Sequence, residues 1–213
     1  MFLLKGRIRL KIVEQSYEFI TPFNRECVLK RLELIGRTAY KSEDKITEDS
    51  ASKFVKMLVS KGHEAVIEHC SMTVKFICDR GIAQEITRHR IASYLCESTR
   101  YVNYSKDKFN SEITVIEPPM ENATQEAFWS DSVKNAERCY MQMIKQGCKP
   151  EIARSVLPLC TKCELVVTMN LREWKYFLKL RTAQDAHPQI RSLLLPVFSE
   201  FKQNLPEIFD DAT

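Results

Sequence analysis

Residues Arg88 to Tyr101 read RHRIASYLCESTRY, three arginines and a histidine set among apolar residues, two serines and one acid. The stretch is denser in cations than an ordinary solvated helix face and too apolar for a disordered basic tail. One reading is an ion-pair helix. Glu85 stands three residues before Arg88 and four before His89, the spacing of neighbours on a helix face. That accounts for the first half and leaves out Ser98, Arg100 and Tyr101, which lie beyond the end of such a helix. Guanidinium groups are costly to bury unpaired, so the cluster calls for anionic partners. Internal carboxylates, nucleic-acid phosphates and small-molecule phosphates held by bidentate contacts all meet that need.

Composition narrows the choice. A chain of 213 residues suits one domain, and 44% hydrophobic residues are enough for a core. Net charge is +4, from 32 basic and 28 acidic side chains. Acids are interspersed almost everywhere, so the broad basic stripe that nucleic-acid binding needs is missing. No apolar run has the length of a membrane span. The start, MFLLKGRIRLKIVEQ, alternates as a first strand and is not followed by a signal-peptide cleavage pattern, so a cytoplasmic protein is expected. Eight cysteines then read as small buried hydrophobes. The Cys160-x-x-Cys163 pair lacks a second pair or nearby histidines for zinc, and lacks thioredoxin-like surroundings.

Helix and strand signals alternate along the chain. Arg25 to Tyr40 places Val28, Leu32, Ile35 and Ala39 on one helical face, with Asn24 as N-cap. Thr47 caps a helix with the buried stripe Ala51, Phe54, Val55 and Leu58, ended by Lys61-Gly62. Ser71 to Cys78 alternates as a half-buried strand, and Asp79 caps a helix running into Arg88. Asn103 to Ser111 is loop-like, and Ile113 to Ile116 is a short strand stopped by Pro118-Pro119. A long helix from Thr124 to Gln146 turns Phe128, Val133, Ala136, Tyr140, Met143 and Ile144 inward. Gly147 ends it and Pro150 begins another turn of helix. Cys163, Leu165, Val167 and Met169 alternate as a strand. Helices over Asn170 to Thr182 and Pro188 to Asn204 follow, the second kinked by Pro196. The sum is an α+β domain with a small, mostly antiparallel sheet packed by several helices.

The four histidines, His63, His69, His89 and His187, do not stand at a standard metal spacing, so no metal is expected. With five glycines and no G-x-G-x-x-G, a dinucleotide cofactor would have to be held by side chains.

RHR, seven residues, then Ser is the signature of the flavin-dependent thymidylate synthases, and Arg88-His89-Arg90 followed by Ser98 resembles it. Ser98-Thr99-Arg100-Tyr101, GHEAVIEH (Gly62 to His69), ARSVLPL (Ala153 to Leu159), NLREWKYFLKLRTAQDAHPQIR (Asn170 to Arg191) and TAYKSEDKITEDSA (Thr38 to Ala51) are also similar to members of that family. The resemblance implies a homotetramer of α+β subunits with FAD at subunit interfaces. It implies methylation of dUMP to dTMP, with carbon from methylenetetrahydrofolate, hydride from flavin reduced by NADPH, and no enzyme nucleophile on uracil. It assigns His63, Glu68, Arg88, His89, Arg90, Asn170, Arg172 and His187 to flavin, with Cys96 lining the site. It assigns Ser98, Thr99 and Arg100 to dUMP, Arg154 to dUMP from another subunit, and Arg88 to both ligands. Arg181 matches the activating arginine, whose charge near uracil N3 favours an ionised, electron-rich ring. Glu85, where Gln is common in the family, falls among the substrate contacts. Leu95 and Cys96 stand where members carry polar residues, and Ala65 where some carry Thr. Two rival readings remain beside this one: a nucleotide or RNA binder without turnover, and a helical protein with ion-paired arginines.

Overall fold

A computed structural model describes residues 10–106 and 111–210. Its contacts group into two compact units. The first comprises the chain up to Ser16, Ile77–Ile86 and Cys96–Leu165, and the second Tyr17–Phe76, Thr87–Leu95 and Val166 onward. The expected first strand lies partly, and the Asn103 to Ser111 loop partly, outside the described residues.

In the first unit, strand β1 (Lys11–Val13) pairs in parallel with β5 (Thr114–Ile116), Lys11 opposite Thr114. Helix α4 (Ala123–Lys145) begins at Asn122, whose side chain accepts from the Thr124 and Gln125 amides. Val133, Glu137 and Tyr140 are its buried positions, one helical stripe. Glu137 is tolerated there because its carboxyl accepts the Ile113 amide at 2.8 Å. Burial holds that carboxyl above its ordinary range. Phe128 does not turn inward: it is 75% exposed, and its neighbour Trp129 packs on the core instead. The helix phase set by Val133 and Tyr140 carries Phe128 past the buried stripe. Gly147, at φ 84°, closes the helix in the left-handed conformation that favours glycine. Pro150 then opens the short α5 (Pro150–Ala153).

The second unit is mainly helical. Asn24 caps α1 (Arg25–Tyr40) by accepting the Cys27 amide at 3.0 Å. Its buried face is Leu29, Leu32, Glu33, Gly36 and Arg37, rotated from the expected one, and Ala39 is exposed. The rotation buries an ion pair, with Arg37 Nη2 2.8 Å from Glu33 Oε1 and the guanidinium 4.2 Å from the Phe54 ring centroid. Gly36 is where α1 approaches α2 (Ser50–Ser60): a Cβ there would stand 2.8 Å from Leu58 and Phe54 side-chain atoms. The stripe of α2 is as expected, with Val59 added, but Asp49 rather than Thr47 is its N-cap residue. Thr47 is bound one turn earlier by the Ser50 hydroxyl.

A four-stranded antiparallel sheet has the order β2 (Ser16–Phe19), β3 (Ser71–Asp79), β6 (Lys162–Asn170), β4 (Ala92–Cys96). β3 and β6 alternate strictly, as their sequences require. The Asp79 carboxylate accepts the Ile82 amide at 2.7 Å and starts α3 (Arg80–Ile86). That helix stops at Ile86 and does not run into Arg88, so the RHR triplet lies in the turn and loop leading to β4. Asn170 ends β6 and caps α6 (Leu171–Arg181), accepting the Glu173 amide at 2.8 Å. Trp174 anchors α6: its indole N–H donates to the Met72 carbonyl at 3.0 Å, and its ring packs on Phe177 and Phe201. Helix α7 (Pro188–Asn204) carries Pro196 in its interior, and a short α8 (Pro206–Phe209) follows it.

Candidate functional site

The predicted residues fall into two groups, one in each unit. In the second unit, α6 supplies the scaffold. Arg181, its last residue, donates from Nε to His89 Nε2 at 3.2 Å. His89 Nδ1 stands 3.4 Å from Glu173 Oε1, and the ring meets Phe177 edge-on at 4.7 Å and Tyr176 at 6.0 Å. His89 is only 6% exposed. Burial, and secondarily the Arg181 charge, hold its pKa below the ordinary value, while burial pushes the Glu173 carboxyl up. Burial disfavours the charged form of both groups, so the 3.4 Å contact is not an imidazolium–carboxylate pair, and Glu173 Oε1 is the carboxyl oxygen that faces the neutral ring's Nδ1. The Tyr94 hydroxyl donates to the His89 carbonyl, fixing the loop from the β4 side.

Arg88 and Arg90, on either side of the buried histidine, are exposed. Among the described residues no carboxylate pairs with either guanidinium. Beside them opens a cleft of about 620 Å³ lined by Glu64, Glu68, Ile91, Asn170, Arg172, Glu173, Lys175, Tyr176 and Lys179. Its charges are paired across it: Arg172 with Glu68 at 2.5 Å and Glu64 at 3.7 Å, and Lys175 with Glu64 at 2.7 Å. Glu68, Asn170 and Arg172 are thus brought together. His63 does not line the cleft; it is exposed and bonded through Nδ1 to the Tyr40 hydroxyl at 2.9 Å. His187 is an exposed residue at the start of α7, where its carbonyl accepts the Arg191 amide. Arg191 also donates from Nε to the Thr182 carbonyl at 3.1 Å, tying down the end of α6 next to Arg181.

The first unit holds the other group. Ser98 organises a turn: its hydroxyl accepts the Arg100 amide at 3.3 Å, and its carbonyl accepts the Tyr101 and Val102 amides. Arg154 donates to the buried Thr99 hydroxyl at 3.4 Å within the same chain. Arg100 lies 3.6 Å from Glu151 and over the Tyr101 ring, a loose and exposed contact that an anion can displace. Glu97 is fixed by Lys162 at 3.1 Å. The Cys96 thiol is pushed up, first by a hydrogen bond with Cys163 and then by burial, so it is not a thiolate nucleophile. Glu85 lies in α3, in this unit. Glu173 and Tyr176 were not foreseen as site residues. The signal for Glu173 was spacing: Glu173, Phe177 and Arg181 recur every four residues along one helix face.

Residues 28–207 match the sequence pattern of the family described as Thymidylate synthase complementing protein. The chain belongs to that family. Named relatives in this Thymidylate synthase complementing protein family are flavin-dependent thymidylate synthases. That of Pyrococcus abyssi is 33% identical over 162 residues, 75% of this chain and 66% of the relative. That of Pyrococcus furiosus is 32% identical over 168 residues, 78% and 68% respectively. That of Geobacter sulfurreducens is 31% identical over 172 residues, 79% and 72%. The aligned stretch therefore spans about two thirds of the length of the first of these relatives. Among solved structures, the UMP/dUMP methylase PolB from Streptomyces cacaoi bound with 5-Br dUMP superposes with a TM-score of 0.76 at 21% identity, covering 94% of this chain and 96% of that one. The likeness establishes the shared fold. Among the described residues no helix is long and apolar enough to cross a membrane.

Proposed function

We propose that this protein is a flavin-dependent thymidylate synthase that methylates dUMP to dTMP, taking carbon from methylenetetrahydrofolate and reducing power from NADPH. The observation that carries the reading is the arrangement around His89. Two exposed guanidinium groups, with no carboxylate partner among the described residues, flank a buried neutral histidine that accepts from a third, Arg181. A structural role for the arginines would pair them; a ligand-binding role leaves them available.

The residues fit FAD. In the α6 cleft Lys179 suits a pyrophosphate, as do Arg172 and Lys175 once a phosphate draws them from Glu68 and Glu64; Tyr176 offers an aromatic face, and the carboxylates so released, with Asn170, suit hydroxyl and ring-edge hydrogen bonds. Bound there, a reduced flavin would supply the hydride that completes the methyl group. Arg100, presented by the Ser98 turn, and Arg154, held by Thr99, are assigned to the dUMP phosphate. Arg181 places a fixed positive charge for the uracil ring, favouring its ionised form for attack on the one-carbon unit. The functional assembly is a homotetramer with its sites at subunit interfaces.

The test is an absorption spectrum of the purified protein followed by an assay with dUMP, methylenetetrahydrofolate and NADPH. Bound-flavin absorption and dTMP formation are expected. A colourless protein that also fails to take up added FAD would sink the reading, and FAD binding without dTMP would reduce it to a binder.

A further inference from the structure

Glu173, Phe177 and Arg181 stand four residues apart on α6, and the His89 ring lies along that face, touching all three. An arginine can only donate hydrogen bonds. His89 Nε2, which receives the Arg181 Nε–H at 3.2 Å, must therefore be the bare nitrogen. The ring proton is then on Nδ1, facing the Glu173 carboxyl 3.4 Å away. The tautomer is assigned by this donor–acceptor logic.

We propose that Glu173 is a positioning residue for the reaction: by accepting the Nδ1 proton of His89, it keeps Nε2 an acceptor and so fixes the direction in which Arg181 presents its guanidinium to substrate. The inference rests on the assignment of Arg181 to the uracil ring. The groups facing His89 are Glu173, Tyr176, Phe177 and Arg181 from α6 and Tyr94 from β4. Glu173 is the acceptor among them that meets Nδ1. Its side chain is 11% exposed, so bulk water is a poor substitute. Without that acceptor, the proton relocates to Nε2, where it confronts the Nε–H of Arg181, donor against donor. The guanidinium must then turn away. The role needs a lone pair at position 173 and not a negative charge, because the ring that faces it is neutral and offers a single N–H there.

Glu173→Leu removes the acceptor, and Glu173→Gln keeps one in its side-chain carbonyl. Two readouts apply, both on the full-length, flavin-loaded protein. Solid-state nitrogen NMR of histidine-labelled protein should show one ring as the Nδ1–H tautomer in the parent and in Glu173→Gln, switched to Nε2–H in Glu173→Leu. This result does not depend on turnover, and an unchanged tautomer in Glu173→Leu overturns the proposal even if no dTMP is ever formed. In the assay, with turnover counted per bound flavin, Glu173→Leu should lower kcat about 10- to 100-fold, and Glu173→Gln only a few-fold. Added to Arg181→Ala, Glu173→Leu should cost nothing further, since it acts through that arginine. Parent-like kcat in Glu173→Leu, or a full additional loss in the double variant, overturns the proposal. A parent protein that makes no dTMP overturns the assignment of function and leaves the tautomer result to decide this one. If the leucine variant does not fold, Glu173→Met, closer in shape, is judged by the same two criteria.

Discussion

Arg181 meets a neutral imidazole where an arginine would ordinarily meet a carboxylate. This contact orients the guanidinium and itself brings no negative charge, which suits the stabilisation of an ionised ring. Arg181→Ala should therefore lose about 100-fold or more in turnover, while the bound-flavin spectrum persists; parent-like turnover would remove Arg181 from its role. The buried histidine also has a stability consequence. In the unfolded chain it titrates near its ordinary value of 6.5, and in the folded chain lower. Below 6.5 the unfolded state binds a proton that the folded state resists, so stability falls on acidification until the folded value is passed. Comparing urea midpoints at about pH 7.5 and about pH 5.5, the parent should lose more than His89→Gln; an equal loss in both would contradict the burial argument. The arginines stand out in the sequence because each falls within an otherwise apolar or mixed segment. Glu173 was not, because between Arg172 and Lys175 it looks like one more residue of a solvated helix face.

At the scale of elements, legibility followed pattern strength. β3 and β6 were read to within a residue because they alternate over nine positions each. β4 was missed: its Leu95 is 74% exposed, and Ile91 just before the strand is 67% exposed, so the apolar residues there do not report a buried face. The face of α1 was misjudged because its buried positions include an acid and a base, which a purely apolar count assigns to solvent. That pair gives a prediction. Glu33→Ala leaves the Arg37 guanidinium buried under Phe54 without its carboxylate and should cost about 3–5 kcal/mol, read as a large drop in Tm. Replacing both residues by apolar ones of similar size should cost far less. Equal destabilisation by the single and double changes would mean the pair contributes through packing alone.

For the whole molecule, the α+β class and the order of the helices and longer strands were readable from periodicity and caps; β2 and β4 were not. The division into two contact units was not, because each unit is assembled from separated stretches and no linker marks the boundaries. Assembly beyond one chain is a matter for solution measurement: light scattering should return a mass of four chains, and a fully active monomer would dismiss interface-built sites. One junction governs much of what the chain can do. Asn170 ends a strand and caps a helix at once, so β6 passes into α6 with no intervening residue. The helix is thereby phase-locked to the strand, like a gear with no play. One glycine inserted after Asn170 would advance every later residue of α6 by about 100°, carrying Glu173, Phe177 and Arg181 off His89 together. Such a variant should keep its flavin-independent helix content, seen by circular dichroism, and make no dTMP. The timing of the turn, and not only the identity of the side chains, is what the sequence between Met169 and Arg172 encodes.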